Sequence, residues 1–310
     1  MLEFKNVPLS WREFDIPKKS GGLRHICAPN EALKKVQRQA KEWLEELSRE
    51  QESLKPTRFA HGFVPFRDTT TGLLQHYWKS DVFLCMDISS FFDNMPIKAV
   101  EANLRAAGIP ASSVDYIIRH GAYKGRFPQG SPCSPLFMNI GMRDCDYMIA
   151  AFAKRHGFLY TRYADDITLS RDPDWTGEKW TNLPYIFEGV NTIIRTHLGL
   201  ELKKAKSHII HRCSRDKMQI NGIVLNQNGM GLNAPKRMRR RVRAMAHNLY
   251  KDISRFGAQR EYYPRWGRVK GYVMYMDHLR ASSLLPELKT ADPIVKEAEW
   301  NYLKESFEHE

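Results

Sequence analysis

Two strand-like runs that end on aspartate constrain this chain more than any other feature. The first contains Tyr163-Ala164-Asp165-Asp166 within Phe158 to Ser170, where apolar and β-branched residues flank two adjacent acids. That pattern predicts a hairpin: one strand ends near Tyr163, the acids occupy the turn, and Ile167 to Ser170 run back. The second spans Asp81 to Asp93, where an apolar run ends in Asp87 and the chain turns through Ser89-Ser90. An apolar run of that length predicts a buried strand. Neighbouring carboxylates that lose hydration repel each other and favour a cation between them. An isolated Asp-Asp is more often a solvated hairpin tip. If the two strands pair, however, Asp87, Asp165 and Asp166 converge on one edge and offer the hard oxygens that Mg²⁺ prefers. Two such ions held ~4 Å apart are a recurrent device for in-line phosphoryl transfer.

Phe127 to Ile140 adds a tight loop, Pro128-Gln129-Gly130-Ser131-Pro132, and then an amphipathic helix to about His156. Free backbone N–H groups at such a loop-to-helix start favour phosphate. Ile16 to Pro29 reads as a hairpin turning at Ser20-Gly21-Gly22, and residues 1–16 offer at most a short helix. Helical spacing covers 32–47, 96–107, 112–121 with Ser112 as N-cap, 180–197 ending at Gly199, and 262–279. Lys217 to Asn226 reads as a strand with Gly222 at a bulge or a close backbone approach. Pro235 then opens a helix whose bases include Lys236, Arg237, Arg240, Arg241 and Arg243, with His247 beyond them; no acid occurs between Lys217 and Lys251. Charge runs are usually solvated faces. This one, in a chain of net charge +13, points to a polyanionic partner. Cys27, Cys85, Cys133, Cys145 and Cys213 are widely spaced, as in reduced core positions of a cytoplasmic protein, and imply no zinc site. No apolar run approaches the length of a membrane span.

On these residues the chain resembles bacterial reverse transcriptases, and retron-type enzymes in particular, from about Phe14 to about Leu279. Asp87 to Phe92 matches the first palm motif and Tyr163 to Asp166 the second acidic one. Gln129, Gly130, Ser134 and Pro135 match the Pro-Gln-Gly-x-x-x-Ser-Pro motif. Gly72-Leu73-Leu74-Gln75-His76 keeps only the histidine of a retron pattern, and Ile220-Asn221-Gly222 stands where Val-Thr-Gly is usual.

The resemblance implies an α+β right-hand polymerase. Fingers would occupy 1–80, a ferredoxin-like palm 81–230 with inserted fingers helices around 96–130, and a helical thumb with C-terminal helices 231–310. Asp87, Ile88, Asp165 and Asp166 would hold two Mg²⁺ ions. Arg24 would grip the incoming deoxynucleoside triphosphate, and Gln129 and Gly130 would face nucleotide and template base. Lys206, with Lys203 and Lys204 as competitors, would neutralise or protonate pyrophosphate. Phe92 would exclude a ribose 2′-hydroxyl. Lys236, Arg237, Arg240, Arg241, Arg243 and His247 would track duplex phosphates. The implied activity is RNA-directed DNA synthesis on a structured non-coding RNA, giving an RNA–DNA product in anti-phage defence. A separate effector protein is the implied partner, with no membrane. Another bacterial defence or group II intron-like reverse transcriptase, or an idle RNA-binding scaffold, are the alternatives.

Overall fold

The computed structural model describes residues 7–18, 21–77, 80–172, 182–211, 218–225 and 232–282, with Asn301 and Glu305. Cys213 and most of the C-terminal residues expected to be helical lie outside them. The chain forms two compact units, residues 1–68 with 79–209, and residues 69–78 with 210–310.

The first unit opens with an antiparallel pair, β1 (Trp11–Pro17) and β2 (Leu23–Pro29), in register from Trp11↔Pro29 to Pro17↔Leu23. Residues 11–16 are therefore strand, not the short helix considered for 1–16; pairing along all of β2 and stacking of Trp11 on Tyr123 at 5.1 Å hold them extended. Helix α1 (Glu31–Glu50) starts where Asn30 Oδ1 accepts from the Leu33 N–H at 2.9 Å. It buries Leu33, Val36, Ala40 and Leu44, one face at helical spacing. Helix α2 (Thr69–Tyr77) belongs to the second unit.

Strand β3 (Val82–Asp87) is buried at every position, as its unbroken apolar run requires. After it come α3 (Phe91–Asn94), α4 (Ile97–Ala106) and α5 (Ala111–Gly121). Ser112 is not the N-cap of α5. Pro110 is, its carbonyl accepting from Ser113 and Val114, and Ser112 falls in the first turn. Helix α6 (Ser134–Arg155) leads into β4 (Phe158–Tyr163) and β5 (Asp166–Arg171); α7 (Leu183–Leu198) ends at Gly199 and is followed by β6 (His208–His211).

The sheet order is β4-β5-β3-β6, with β5 antiparallel to both its neighbours. In order of appearance that is 2-3-1-4, the ferredoxin-like arrangement, with helices in both crossovers. Leu84, Met86, Phe158, Tyr160, Ile167 and Leu169 form one core with Phe137, Cys145 and Ile149 of α6 and Ile186, Val190 and Ile194 of α7. Cys27, Cys85, Cys133 and Cys145 are buried free thiols.

In the second unit, β7 (Gln219–Ile220), β8 (Ile223–Leu225) and β9 (Leu232–Asn233) form an antiparallel sheet. The continuous strand expected here is instead a hairpin. Asn221 (φ 49°) and Gly222 (φ 81°) both take left-handed backbone, as an Asn-Gly two-residue turn demands. Nothing approaches Gly222 within 4 Å of a notional Cβ, so neither a bulge nor close packing explains it. Helix α8 (Lys236–Phe256) buries Val242, Ala246, Leu249 and Ile253 and packs on α9 (Tyr263–Ser282), which buries Trp266, Val269, Met276 and Leu279. Among the described residues, no helix is long and apolar enough to cross a membrane.

Candidate active site

Sheet register brings the acids together. Asp87, last in β3, is the direct cross-strand partner of Asp166, first in β5. Asp165 occupies the two-residue turn with Ala164, whose φ is 55°. The Ile88 N–H donates to the Asp165 carbonyl at 2.9 Å, tying the end of β3 to that turn. Asp166 thus stands on the strand, not in the turn with Asp165. Beyond Asp87 the chain is fixed from the other side: the Lys203 N–H donates to the Asp87 carbonyl at 2.7 Å, and the Ser89 N–H to the Glu201 carbonyl at 2.8 Å.

Asp87, Ile88, Ser89 and Asp165 line a cleft of about 760 Å³ with Ile16, Lys18, Arg24, Phe92, Gln129, Lys203 and Lys206, and Asp166 stands beside Asp87 across the strand pair. Burial raises the Asp165 carboxyl above its usual range, and Asp87 adds to the effect. Burial, then repulsion from Asp165 and Asp87, pushes Asp166 up to about 6. The cleft therefore favours added positive charge. Part of that charge is present as Lys206, whose Nζ donates to Asp87 Oδ2 at 2.6 Å and whose own affinity for protons rises in consequence. Arg24 also acts on Asp165, in the direction that favours its ionised form. Of the competing lysines, Lys203 lines the cleft while Lys204 pairs with Glu188 at 3.1 Å.

The donor set suits a hard divalent cation: it is all carboxylate oxygen, without sulfur or imidazole. Ile88 has a buried aliphatic side chain, so only its backbone could join that set. Gln129 lines the cleft, and its carbonyl accepts from the Cys27 N–H at 2.9 Å. Gly130 beside it has φ 120°, and a Cβ there would meet the Cys27 carbonyl oxygen at 2.7 Å. The glycine lets this loop lie directly on β2. Phe92 is half-buried, its ring edge-on to buried Phe91 at 5.7 Å. In the other unit, Lys236, Arg237, Arg240, Arg241 and His247 are exposed on α8 and Arg243 is half-buried.

Sequence reasoning missed the support beneath the acidic turn. Arg162, fully buried, makes a two-pronged ion pair with Asp146 of α6: Nε to Oδ1 and Nη2 to Oδ2, each 2.8 Å. Tyr160 and Thr57 donate to the same carboxylate at 2.7 and 2.8 Å. Arg162 Nη1 reaches on to the Ala164 carbonyl at 3.0 Å. Burial opposes the guanidinium charge, but Asp146 outweighs it. Gly62 completes the seat: a Cβ there would lie 2.4 Å from the Ala164 nitrogen, and Asn139 Nδ2 donates to its carbonyl at 2.9 Å. The available signal was strand phase. Phe158, Tyr160 and Arg162 alternate on one face, and a charge in a buried register needs a partner.

Paired acidic strands in a ferredoxin-like sheet, facing a basic hairpin across a cleft, define the palm of a right-hand nucleic-acid polymerase. Residues 16–254 match the family described as reverse transcriptase (RNA-dependent DNA polymerase), and the chain belongs to that family. Its likeness within the family is to bacterial retron-type enzymes. It is 31% identical over 272 residues to the retron Mx162 reverse transcriptase of Myxococcus xanthus, covering 78% of this chain and 53% of that one. It is 30% identical over 254 residues to the retron Mx65 enzyme of the same organism, covering 76% and 55%. The chain thus spans about half the length of these two curated relatives. Against the retron Se72 reverse transcriptase of Salmonella heidelberg it is 25% identical over 311 residues, covering 98% and 79%. The fold is also that of apo telomerase from Candida tropicalis, with a TM-score of 0.52 at 13% identity over 77% of this chain and 52% of that one. Telomerase from Candida albicans, solved with a fragment of telomeric RNA, gives 0.50 at 13% identity over 84% and 55%.

Proposed function

We propose that the chain is an RNA-directed DNA polymerase of the retron kind, copying a structured non-coding RNA into single-stranded DNA. The observation that carries this reading is the convergence of three acids: Asp87 and Asp165 line one cleft with Arg24, Phe92, Gln129 and Lys206, and Asp166 is the cross-strand partner of Asp87. The three carboxylates, with the Ile88 backbone, would hold two Mg²⁺ ions. When bound, such ions supply charge neutralisation and an activated primer hydroxyl. The residues' own work is binding and orientation. Arg24, exposed on β2, presents a guanidinium fork to a triphosphate. Lys206 stands ready to balance charge on departing pyrophosphate, Gln129 borders the nucleotide with Gly130 behind it, and the Phe92 ring excludes a 2′-hydroxyl.

In this reading the first unit carries fingers and palm, and the second, with α2 joined to it, the thumb. The exposed row Lys236, Arg237, Arg240, Arg241 and His247, with Arg243 at its margin, would track the phosphates of the template–primer duplex. The working partners are then the template RNA, its RNA–DNA product and a separate effector protein, in the cytoplasm, as part of anti-phage defence.

The test is to purify the protein expressed with its native flanking DNA and to sequence the nucleic acid that accompanies it. One short DNA joined to a structured RNA is the expected result. Heterogeneous DNA without a fixed RNA would overturn the retron assignment alone. RNA with no DNA, even after deoxynucleotides and Mg²⁺ are supplied, would overturn the polymerase.

A further inference from the structure

We infer that Phe63 is a positioning residue for Phe92, and through it a determinant of which sugar the cleft accepts. The inference rests on the proposed role of Phe92 as the ribose filter. A steric filter discriminates only as well as its ring is held, because a ring that can swing aside admits the larger sugar. Phe92 sits on α3, a four-residue helix that begins after Ser90 in left-handed backbone (φ 46°). So short an element holds a side chain weakly by itself, and its neighbours must do the rest. Phe91 meets the Phe92 ring edge-on from the core. Phe63 meets it edge-on as well, centroids 5.9 Å apart and planes at 75°. That is the favoured geometry for two aromatic rings.

Phe63 has little else to do. The residue remains 44% exposed and lies outside the core. Its φ is 60°, a conformation costly for a bulky side chain and kept only where surroundings impose it. They do so here. The His61 N–H donates to the Arg162 carbonyl at 2.8 Å, and Asn139 holds the Gly62 carbonyl. Arg67 Nη1 donates to the Thr57 and Ala60 carbonyls at 2.6 and 2.8 Å, closing the loop behind Phe63. Gly62 is the residue seated against Ala164. One anchored loop therefore fixes the turn that carries Asp165 and, one residue later, the ring that braces Phe92. Phe66 provides an internal control: it lies in the same loop with φ 62°, but the residue is fully exposed.

The experiment is single-nucleotide incorporation by the full chain on an RNA template and DNA primer with Mg²⁺. It compares kcat/KM for a deoxynucleotide and the matching ribonucleotide. Phe92→Ala should collapse the preference for deoxyribose. Phe63→Ala should lower it on the order of five- to tenfold, the effect of losing one edge-to-face partner. Phe63→Gly, which relieves the backbone strain, should lower it equally, whereas Phe63→Tyr should restore it and Phe66→Ala leave the ratio unchanged. In a Phe92→Ala background the substitution at Phe63 should have no further effect on the ratio. If Phe92→Ala relaxes the preference and Phe63→Ala does not, the brace is wrong and the filter stands. An equal fall for both sugars in Phe63→Ala and Phe63→Gly would make Phe63 merely structural and overturn the inference. An unchanged ratio in Phe92→Ala would remove the filter and the brace with it.

Discussion

Asp165 and Asp166 differ from ordinary surface acids in that burial and neighbouring carboxylates raise both above the usual carboxylate range. In the proposed reading, replacing either with Asn would remove a hard anionic ligand while preserving shape. Asp165→Asn or Asp166→Asn should therefore abolish nucleotide incorporation, by 10³-fold or more on the order expected for a lost catalytic ligand. Binding to a template–primer duplex, read by fluorescence anisotropy, should change little. Activity surviving in the double Asn variant would refute the assignment. His61 acts on acid stability in the opposite sense to Asp165 and Asp166, whose raised carboxyls bind protons more tightly in the folded chain. His61 is 3% exposed, and burial, reinforced by the Arg67 charge, lowers its imidazole from 6.5 to about 4. Between those pH values the unfolded chain binds the proton and the folded chain does not. The stabilisation is thus complete above pH 6.5 and lost as pH falls toward 4, by about 3 kcal/mol at most. Because the two aspartates contribute equally to both proteins, the thermal midpoint of the wild type should fall relative to that of His61→Gln as pH is lowered across that range.

The β4–β5 turn shows how an element can be legible while its support is not. Its strands and their pairing with β3 follow from apolar runs and their aspartate ends, because strand periodicity is a local property, although Asp166 belongs to the strand and not to the turn. The support comes from Thr57, Gly62, Asn139 and Asp146, residues far from it in sequence, and no local pattern names them. The same limit explains the strand expected across Asn221-Gly222: the apolar residues on both sides were right, but the turn chemistry between them outweighed continuity. The hidden support has measurable consequences. Asp146→Asn leaves Arg162 buried without its counter-charge and should cost about 3–5 kcal/mol in chemical denaturation. Gly62→Ala should fold, yet it forces a Cβ toward the Ala164 nitrogen and so displaces the turn. Shifts of order 1 Å at a reacting centre cost roughly 100-fold in rate. A fall in kcat with KM nearly unchanged is the expected signature; an unaltered kcat would mean that the turn does not depend on this seat.

Across the chain as a whole, charge was more readable than its arrangement. The excess of +13 and the acid-free stretch before Lys251 pointed to a polyanion directly. Which bases on α8 face solvent depended on the packing of α9, which buries the Val242, Ala246, Leu249 and Ile253 stripe. That packing leaves Lys236, Arg237, Arg240 and Arg241 exposed and Arg243 half-buried, although Arg243 stands three residues beyond Arg240 and seven beyond Lys236, a spacing that by itself puts all three on one helical face. If these bases neutralise phosphates, each contact releases a condensed counterion, and the affinity for duplex falls with salt in proportion to their number. Removing an exposed arginine should then reduce the slope of log affinity against log salt by about one unit per lost contact. The reduction should be the same for unrelated duplex sequences, because phosphates carry no base identity. Arg240→Ala with Arg241→Ala should therefore flatten the slope by about two units, while Arg243→Ala flattens it less. Anisotropy titrations at several salt concentrations on two unrelated RNA–DNA duplexes measure this directly. A slope unchanged in the double variant would place the duplex on another surface, and a sequence-dependent loss would mean that these arginines read bases rather than backbone.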